Sequence, residues 1–285
     1  MTARNSGLTE PGAGLTETGA GLTEPGSRPV GSVALVGGGP GAGELLTVAA
    51  VAALSAATVV LYDRLAPHET LRALAPQAVL INVGKHPGNH AISQTDIEAL
   101  LVEHALTGAR VVRLKGGDPY VFGRGSEEVL ACHRNGIPVT VISGVTSAIA
   151  VPAAAGIPLT HRGLSHGFTV MSGHAPLTDR ELEGLTLLGS TIVVLMGVGT
   201  LPTLSQGLLR HGMDADMPVA IIERGFSETQ RTTIATLATV LFESARVGVT
   251  SPAVLVIGEV VRLAYDGDLS AEDLLRRAGE FAAVD

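Results

Sequence analysis

Two glycine-rich stretches hold the residues best able to do chemistry. The first, Gly37-Gly38-Gly39-Pro40-Gly41-Ala42-Gly43, follows an apolar run at 33–36 and leads into Glu44-Leu45-Leu46-Thr47. A strand-to-helix turn of this composition lets a ligand reach bare backbone N–H groups. Spelled Gly37-x-Gly39-x-x-Ala42, with Asp63 closing the next strand, it also satisfies a loose dinucleotide fingerprint. An NAD(P)-dependent oxidoreductase and a tight turn without ligand are therefore both open readings. The second stretch runs from Leu114 to Glu128 as Leu-Lys-Gly-Gly-Asp-Pro-Tyr-Val-Phe-Gly-Arg-Gly-Ser-Glu-Glu, which a dinucleotide fold does not require. Gly116 and Gly117 bare the main chain at the carboxyl end of a parallel-type strand, where open α/β sheets bind ligands, and Asp118 offers a carboxylate to a hydroxyl or amino group. Arg124 and Glu127 are three apart at a helix start, where Glu127 also suits the helix dipole. Thr146 and Ser147 open another helix with hydroxyls and amides that could receive a carboxylate.

The elements that must position these residues alternate between β-rich apolar runs and helical segments. Strands are expected at 33–36, 58–61, 78–83, 110–114, 139–142, 168–171, 191–195, 218–222 and 253–257. Ser93 with Asp96 makes a capping-box start for a helix over 94–106 that Gly108 closes, and Gly136 ends a helix over 127–134. The pattern is α/β, with at least part of the sheet parallel. Thrice-repeated Gly-Leu-Thr-Glu units in residues 1–30 bury too little to fold. They leave an N-terminal α/β domain at 31–143, a second at 144–264 and a charged tail at 265–285.

With 46% hydrophobic residues but only 3% aromatic and no Trp, the interior must be built from Ala, Val, Leu and Ile. A formal charge of -8 disfavours nucleic acid and anionic membrane surfaces, so a polyanionic ligand would need a local cationic patch. The lone Cys132 cannot make an internal disulfide and reads as buried packing in a reducing compartment. No secretory signal is evident, which makes a cytoplasmic location the expectation. The uncharged run over 45–62 has the length of a short membrane span, but its Ala, Thr and Ser content reads as a helix followed by a strand. No metal triad stands out among the histidines.

Across residues 32–263 the ordered blocks resemble the tetrapyrrole methylase family, in its uroporphyrinogen-III C-methyltransferase branch. The blocks are Val36 to Thr47, Tyr62-Asp63-Arg64-Leu65, Gly84-Lys85, Leu114 to Glu128, Gly144 to Ala148, Ala155 to Arg162, Met196-Gly197, Ser251-Pro252-Ala253 and Gly258-Glu259-Val260. The resemblance implies two α/β domains with S-adenosylmethionine in the cleft between them, in a homodimer, acting on uroporphyrinogen III. Cofactor contacts would fall on Pro40, Gly116, Gly117, Asp118, Val121, Thr146, Ser147, Met196 and Gly225. Acid–base roles would fall on Asp63 and Lys85, which read alone are a strand-end turn residue and a loop cation. Met196 read alone is core after a strand. The substrate carries eight carboxylates, so cations should gather: Lys85, Arg113, Lys115, Arg124, His161, Arg162 and His174 are candidates. Arg124 and Arg162 are the best anchors because a guanidinium grips a carboxylate with two parallel hydrogen bonds, and Glu127 joins Arg124 there. A sister methylase acting on a later precorrin is the alternative within the family.

Overall fold

The computed structural model of the protein describes residues 29–67, 70–84 and 92–264. The first sheet comprises β1 (Ser32–Gly37), β2 (Val59–Tyr62), β3 (Val79–Asn82), β4 (Arg110–Lys115) and β5 (Val139–Ile142), in the order β3-β2-β4-β1-β5. Every pairing in it is parallel. Parallel neighbours require crossovers, which α1 (Val48–Ala56), α2 (Leu71–Leu74), α3 (Gln94–Leu106) and α4 (Gly125–Arg134) supply. Alternation along β1 sends Leu35 into a core with Ile97, Leu101 and Cys132 on one face, and Val36 into a core with Ala50, Leu54 and Leu71 on the other. The expected box opens α3: the Ser93 side chain and the Asp96 backbone and carboxylate bond reciprocally.

The second sheet contains β6 (Phe168–Ser172), β7 (Thr191–Leu195), β8 (Pro218–Glu223), β9 (Arg231–Thr236) and β10 (Ala253–Ile257), ordered β6-β7-β10-β8-β9. Here β6 and β7 run parallel and the remaining pairs antiparallel. One face is covered by α6 (Asp179–Leu188), α7 (Leu201–Arg210) and α8 (Val240–Val247). The other is covered by α5 (Ser147–Ala154), whose Ala148 and Val151 pack with Val193, Ala220, Val254 and Val256. The chain therefore leaves the first sheet at Ile142 and within five residues starts a helix committed to the second.

All nine expected strands correspond to observed ones within a residue at each end, the run at 78–83 being trimmed to Val79–Asn82. The tenth, β9, escapes sequence reading because it is an edge strand of Thr and Ala, with Ile234 49% exposed and only Thr233 buried. The uncharged run at 45–62 resolves into α1 and β2, and among the described residues no helix is long and apolar enough to cross a membrane. Cys132 is fully buried, and burial pushes its thiol up to about 11. The repeat at 1–28, Lys85 and the tail at 265–285 lie outside the described residues.

Candidate functional site

Three strand ends of the first sheet meet on glycine. The Gly38 N–H donates to Lys115 O at 2.7 Å, while Gly39 and Gly117 exchange backbone bonds of 3.2 and 2.7 Å. A Cβ on Gly37 would stand 2.4 Å from Gly144 N and 2.7 Å from Gly117 O, so a larger residue cannot occupy this junction without moving main chain. Asp118 ties the same loops: its Oδ2 accepts from the Gly144 N–H at 3.1 Å and its Oδ1 from the Tyr120 N–H at 2.8 Å. The Val121 N–H turns back to Asp118 O at 3.2 Å. Thr146 caps α5, its Oγ1 accepting from the Ala148 N–H at 3.3 Å. The Ser147 amide lies 4.0 Å from where a Gly117 Cβ would be. The Pro40 turn, Gly116, Gly117, Asp118, Val121, Thr146 and Ser147 thus converge at the carboxyl ends of β1, β4 and β5.

Met196 and Gly225 stand at strand ends of the second sheet, after β7 and β8. Met196 corrects the reading as core: it is 47% exposed and left-handed at φ 59°. Gly225 sits between Arg224 (φ 49°) and Phe226 (φ 65°), with room for no side chain because a Cβ would meet Val151 of α5 at 2.7 Å. Phe122 and Arg124 complete the described non-glycine residues with positive φ. Such backbone strain collects at ligand sites, where surrounding structure holds it in place. Here all five fall in or beside the segments singled out by sequence. Through α5, which begins at Thr146 and packs Val151 on Gly225, the two sets of strand ends are mechanically joined.

The charges are arranged differently from expectation. Arg113 and Lys115, expected among the substrate cations, are 2% and 4% exposed and belong to the interior. Arg113 Nη2 donates to Asp63 Oδ1 at 2.6 Å and its Nε to Glu128 Oε1 at 3.1 Å, and Lys115 Nζ reaches the same Oε1 at 3.0 Å. Burial, helped by the Arg113 charge, holds the Lys115 ammonium below its ordinary range, against the pull of Glu128. Alternate side chains of β4 point to one face, so the basic pair at 113 and 115 shares an internal acid rather than solvent. Glu128, the acid in question, went unrecognised beside Glu127. Its signal was helical spacing, since it stands three and four residues before the buried Ala131 and Cys132.

Arg124 and Glu127 form an exposed fork-to-carboxylate pair at 2.8 and 2.6 Å. The bond to Glu127 raises the Arg124 guanidinium further, and the bond to Arg124 holds the Glu127 carboxyl below its usual range. Arg162 is exposed in the turn closed by His161 and Ser165 and forms no ion pair among the described residues. His174 is exposed as well, whereas the Nδ1 of His161 is buried without a partner among the described residues.

A second unrecognised acid, Glu223, ends β8 fully buried and accepts from Arg224, Arg231 and the Thr250 N–H and hydroxyl. Burial works against its charge, but these donors outweigh it and hold the carboxyl below the ordinary glutamate value.

Topology removes the dinucleotide reading. In that fold the ribose-binding acid ends the strand next to the glycine turn. Here β4 lies between β1 and β2, which sets Asp63 two strand spacings from the turn, about 10 Å, with its carboxylate on Arg113. Among the described residues no three His, Cys, Asp or Glu side chains cluster as a metal site requires.

A parallel sheet with glycine-bared strand ends, joined by one helix to a mixed second sheet, defines a two-sheet α/β protein. The chain belongs to the tetrapyrrole methylase family: residues 32–241 match the family model for Tetrapyrrole (Corrin/Porphyrin) Methylases. It is 46% identical over 237 residues to the S-adenosyl-L-methionine-dependent uroporphyrinogen III methyltransferase of Methanosarcina barkeri, covering 82% of this chain and 93% of that one. The uroporphyrinogen-III C-methyltransferase of Methanocaldococcus jannaschii is 44% identical over 236 residues, covering 82% and 98%. The crystal structure of the uroporphyrin-III C-methyltransferase of Thermus thermophilus complexed with S-adenyl homocysteine superposes with a TM-score of 0.69 at 45% identity, covering 82% and 100%.

Proposed function

We propose that this protein transfers methyl groups from S-adenosylmethionine to carbons 2 and 7 of uroporphyrinogen III, forming precorrin-2 for cobalamin or sirohaem synthesis. The observation that carries the reading is the convergence of the Pro40 turn, Gly116 to Asp118 and Thr146-Ser147, in a chain 46% identical to a uroporphyrinogen III methyltransferase. The residues fit the donor. The glycine junction keeps side chains off the main chain where the donor would lie, and the capped start of α5 suits a carboxylate such as the methionine end. Met196 and Gly225 would complete the cradle from the second sheet, and Val121 would line it beside Asp118. The division into domains at 31–143 and 144–264 makes the space between the sheets the cleft, and we take the enzyme to be a cytoplasmic homodimer.

The sulfonium already carries a good leaving group, so the protein's chief contribution is alignment of ring carbon, methyl and sulfur. Exposed guanidinium at Arg162, and the Arg124–Glu127 pair, would orient the carboxylated macrocycle. After transfer a ring proton must leave, and Asp63, with Lys85, is the acid–base pair we assign to it. The Asp63 side chain, 31% accessible and braced by Arg113, suits that work. Anaerobic incubation of the protein with both substrates should yield a tetrapyrrole heavier by two methyl groups by mass spectrometry, with two S-adenosylhomocysteines released. Unchanged tetrapyrrole from folded protein that binds S-adenosylhomocysteine would overturn the assignment.

A further inference from the structure

We infer that Glu128 is a positioning residue for the reaction, acting through Arg113 on Asp63. The inference rests on the role proposed for Asp63 and deepens it. Four charged side chains form a row from the rim to the interior: Asp63, Arg113, Glu128 and Lys115. Asp63 is partly exposed at the carboxyl end of β2, whereas Arg113 is 2% exposed and Glu128 fully buried. The row is neutral as a whole, with two carboxylates alternating with two cations. Neutrality alone does not explain its geometry. Arg113 Nε, Lys115 Nζ and Gln94 Nε2 all converge on Oε1 of Glu128, at 3.1, 3.0 and 3.4 Å. Oε2 is buried with no partner among the described residues.

A guanidinium has a planar fork, so two acceptors set its orientation where one would leave it free to turn. Glu128 takes the Nε edge, Leu114 O takes Nη1 at 3.1 Å, and the remaining Nη2 points at Asp63 at 2.6 Å. Asp63 accepts no other side-chain bond among those described, so the direction of its carboxylate is inherited from Arg113. The same residue begins the coupling to the far rim. Glu128 lies on the first turn of α4, immediately after Glu127, whose partner Arg124 caps that helix. Fixing Glu128 to β4 therefore fixes where the Arg124–Glu127 pair stands relative to Asp63. Lys115 adds a second cation at the same oxygen of the buried acid, while the Arg113 Nη2 serves Asp63.

The test is a kinetic double-mutant cycle between Glu128→Gln and Asp63→Asn, with S-adenosylhomocysteine calorimetry and thermal melts on each protein. The inference expects Glu128→Gln to lower kcat about 10–100-fold, as misplacement of a reacting group does, while S-adenosylhomocysteine affinity changes less than about threefold. The double variant should be no slower than Asp63→Asn alone, because both changes remove one function. Arg113→Lys keeps the buried charge but cannot bridge two carboxylates, and it carries the same cycle if Glu128→Gln folds poorly. Independent, multiplying losses from Glu128 and Asp63, or full kcat in folded Glu128→Gln, would overturn the positioning role. Wild-type kcat in Asp63→Asn would instead overturn the assignment of Asp63 itself.

Discussion

A single methyl group at Gly225 tests how the second sheet's strand ends are held against α5. The φ of Gly225 lies outside the left-handed range, so Gly225→Ala brings no backbone penalty of its own. The added carbon would stand 2.7 and 2.8 Å from the two γ-methyls of Val151 and 3.2 Å from its Cβ. Ordinary carbon contacts are about 3.5–4.0 Å, which makes the intrusion about 0.8 Å. Val151 cannot swing aside, being 4% exposed, β-branched and helical, with one strongly preferred rotamer. Overpacking of this kind costs about 1–3 kcal/mol. The part that yields should be the strained loop at Arg224 and Phe226, not the helix face that packs Ala148 and Val151 on the second sheet. S-adenosylhomocysteine affinity should accordingly fall about tenfold, or ~1.4 kcal/mol. Val151→Ala alone deletes two buried methyls at about 0.8 kcal/mol each plus a cavity term. In the double variant the new methyl enters that space, so stability and affinity should recover by about 1 kcal/mol relative to the sum of the singles. Urea unfolding and calorimetry on the four proteins measure both. Additivity within about 0.5 kcal/mol, or wild-type affinity in Gly225→Ala, would refute the packing argument.

Other outcomes follow from the charges and the thiol. Arg162→Gln should raise the tetrapyrrole KM about tenfold or more, the scale of a lost charge-assisted hydrogen bond, while leaving S-adenosylhomocysteine binding as it was; steady-state kinetics with each substrate varied in turn checks this. Cys132, buried with its thiol near 11, should resist maleimide at pH 8 in native protein and react in urea, as mass spectrometry would read. Glu223 is held below its ordinary value of 4.5, so the stability it supplies is present above that value and lost as pH falls through the lower, folded one. Melting temperature should therefore drop more steeply below about pH 4.5 in wild type than in Glu223→Gln, and equal slopes would count against the carboxylate's charge as the cause.

Much of the site was legible because its signals are local. Glycine at 37, 116, 117 and 144 announces backbone approach wherever it occurs, and Thr146 or Ser93 announces a helix start by its own hydroxyl. Strand positions were legible for the same reason, since apolar runs bounded by breakers report burial. β9 was missed because an edge strand buries too little to leave a pattern. Charge defeated sequence reading most often. Arg113, Lys115 and Glu128 look like surface residues until the sheet places them around one another.

The sequence by itself determined the alternating elements, the glycine-bared turns and the family to which the chain belongs, because each depends on residues close together in the chain. The tertiary structure alone decided strand order, and with it that Asp63 stands beside β4 and not beside the glycine turn. It also decided which cations face solvent and which neutralise a buried acid, and that Met196 is strained and exposed where a strand-end methionine reads as core. Burial, pairing and backbone handedness are properties of distant segments brought into contact, and no window of sequence contains both partners.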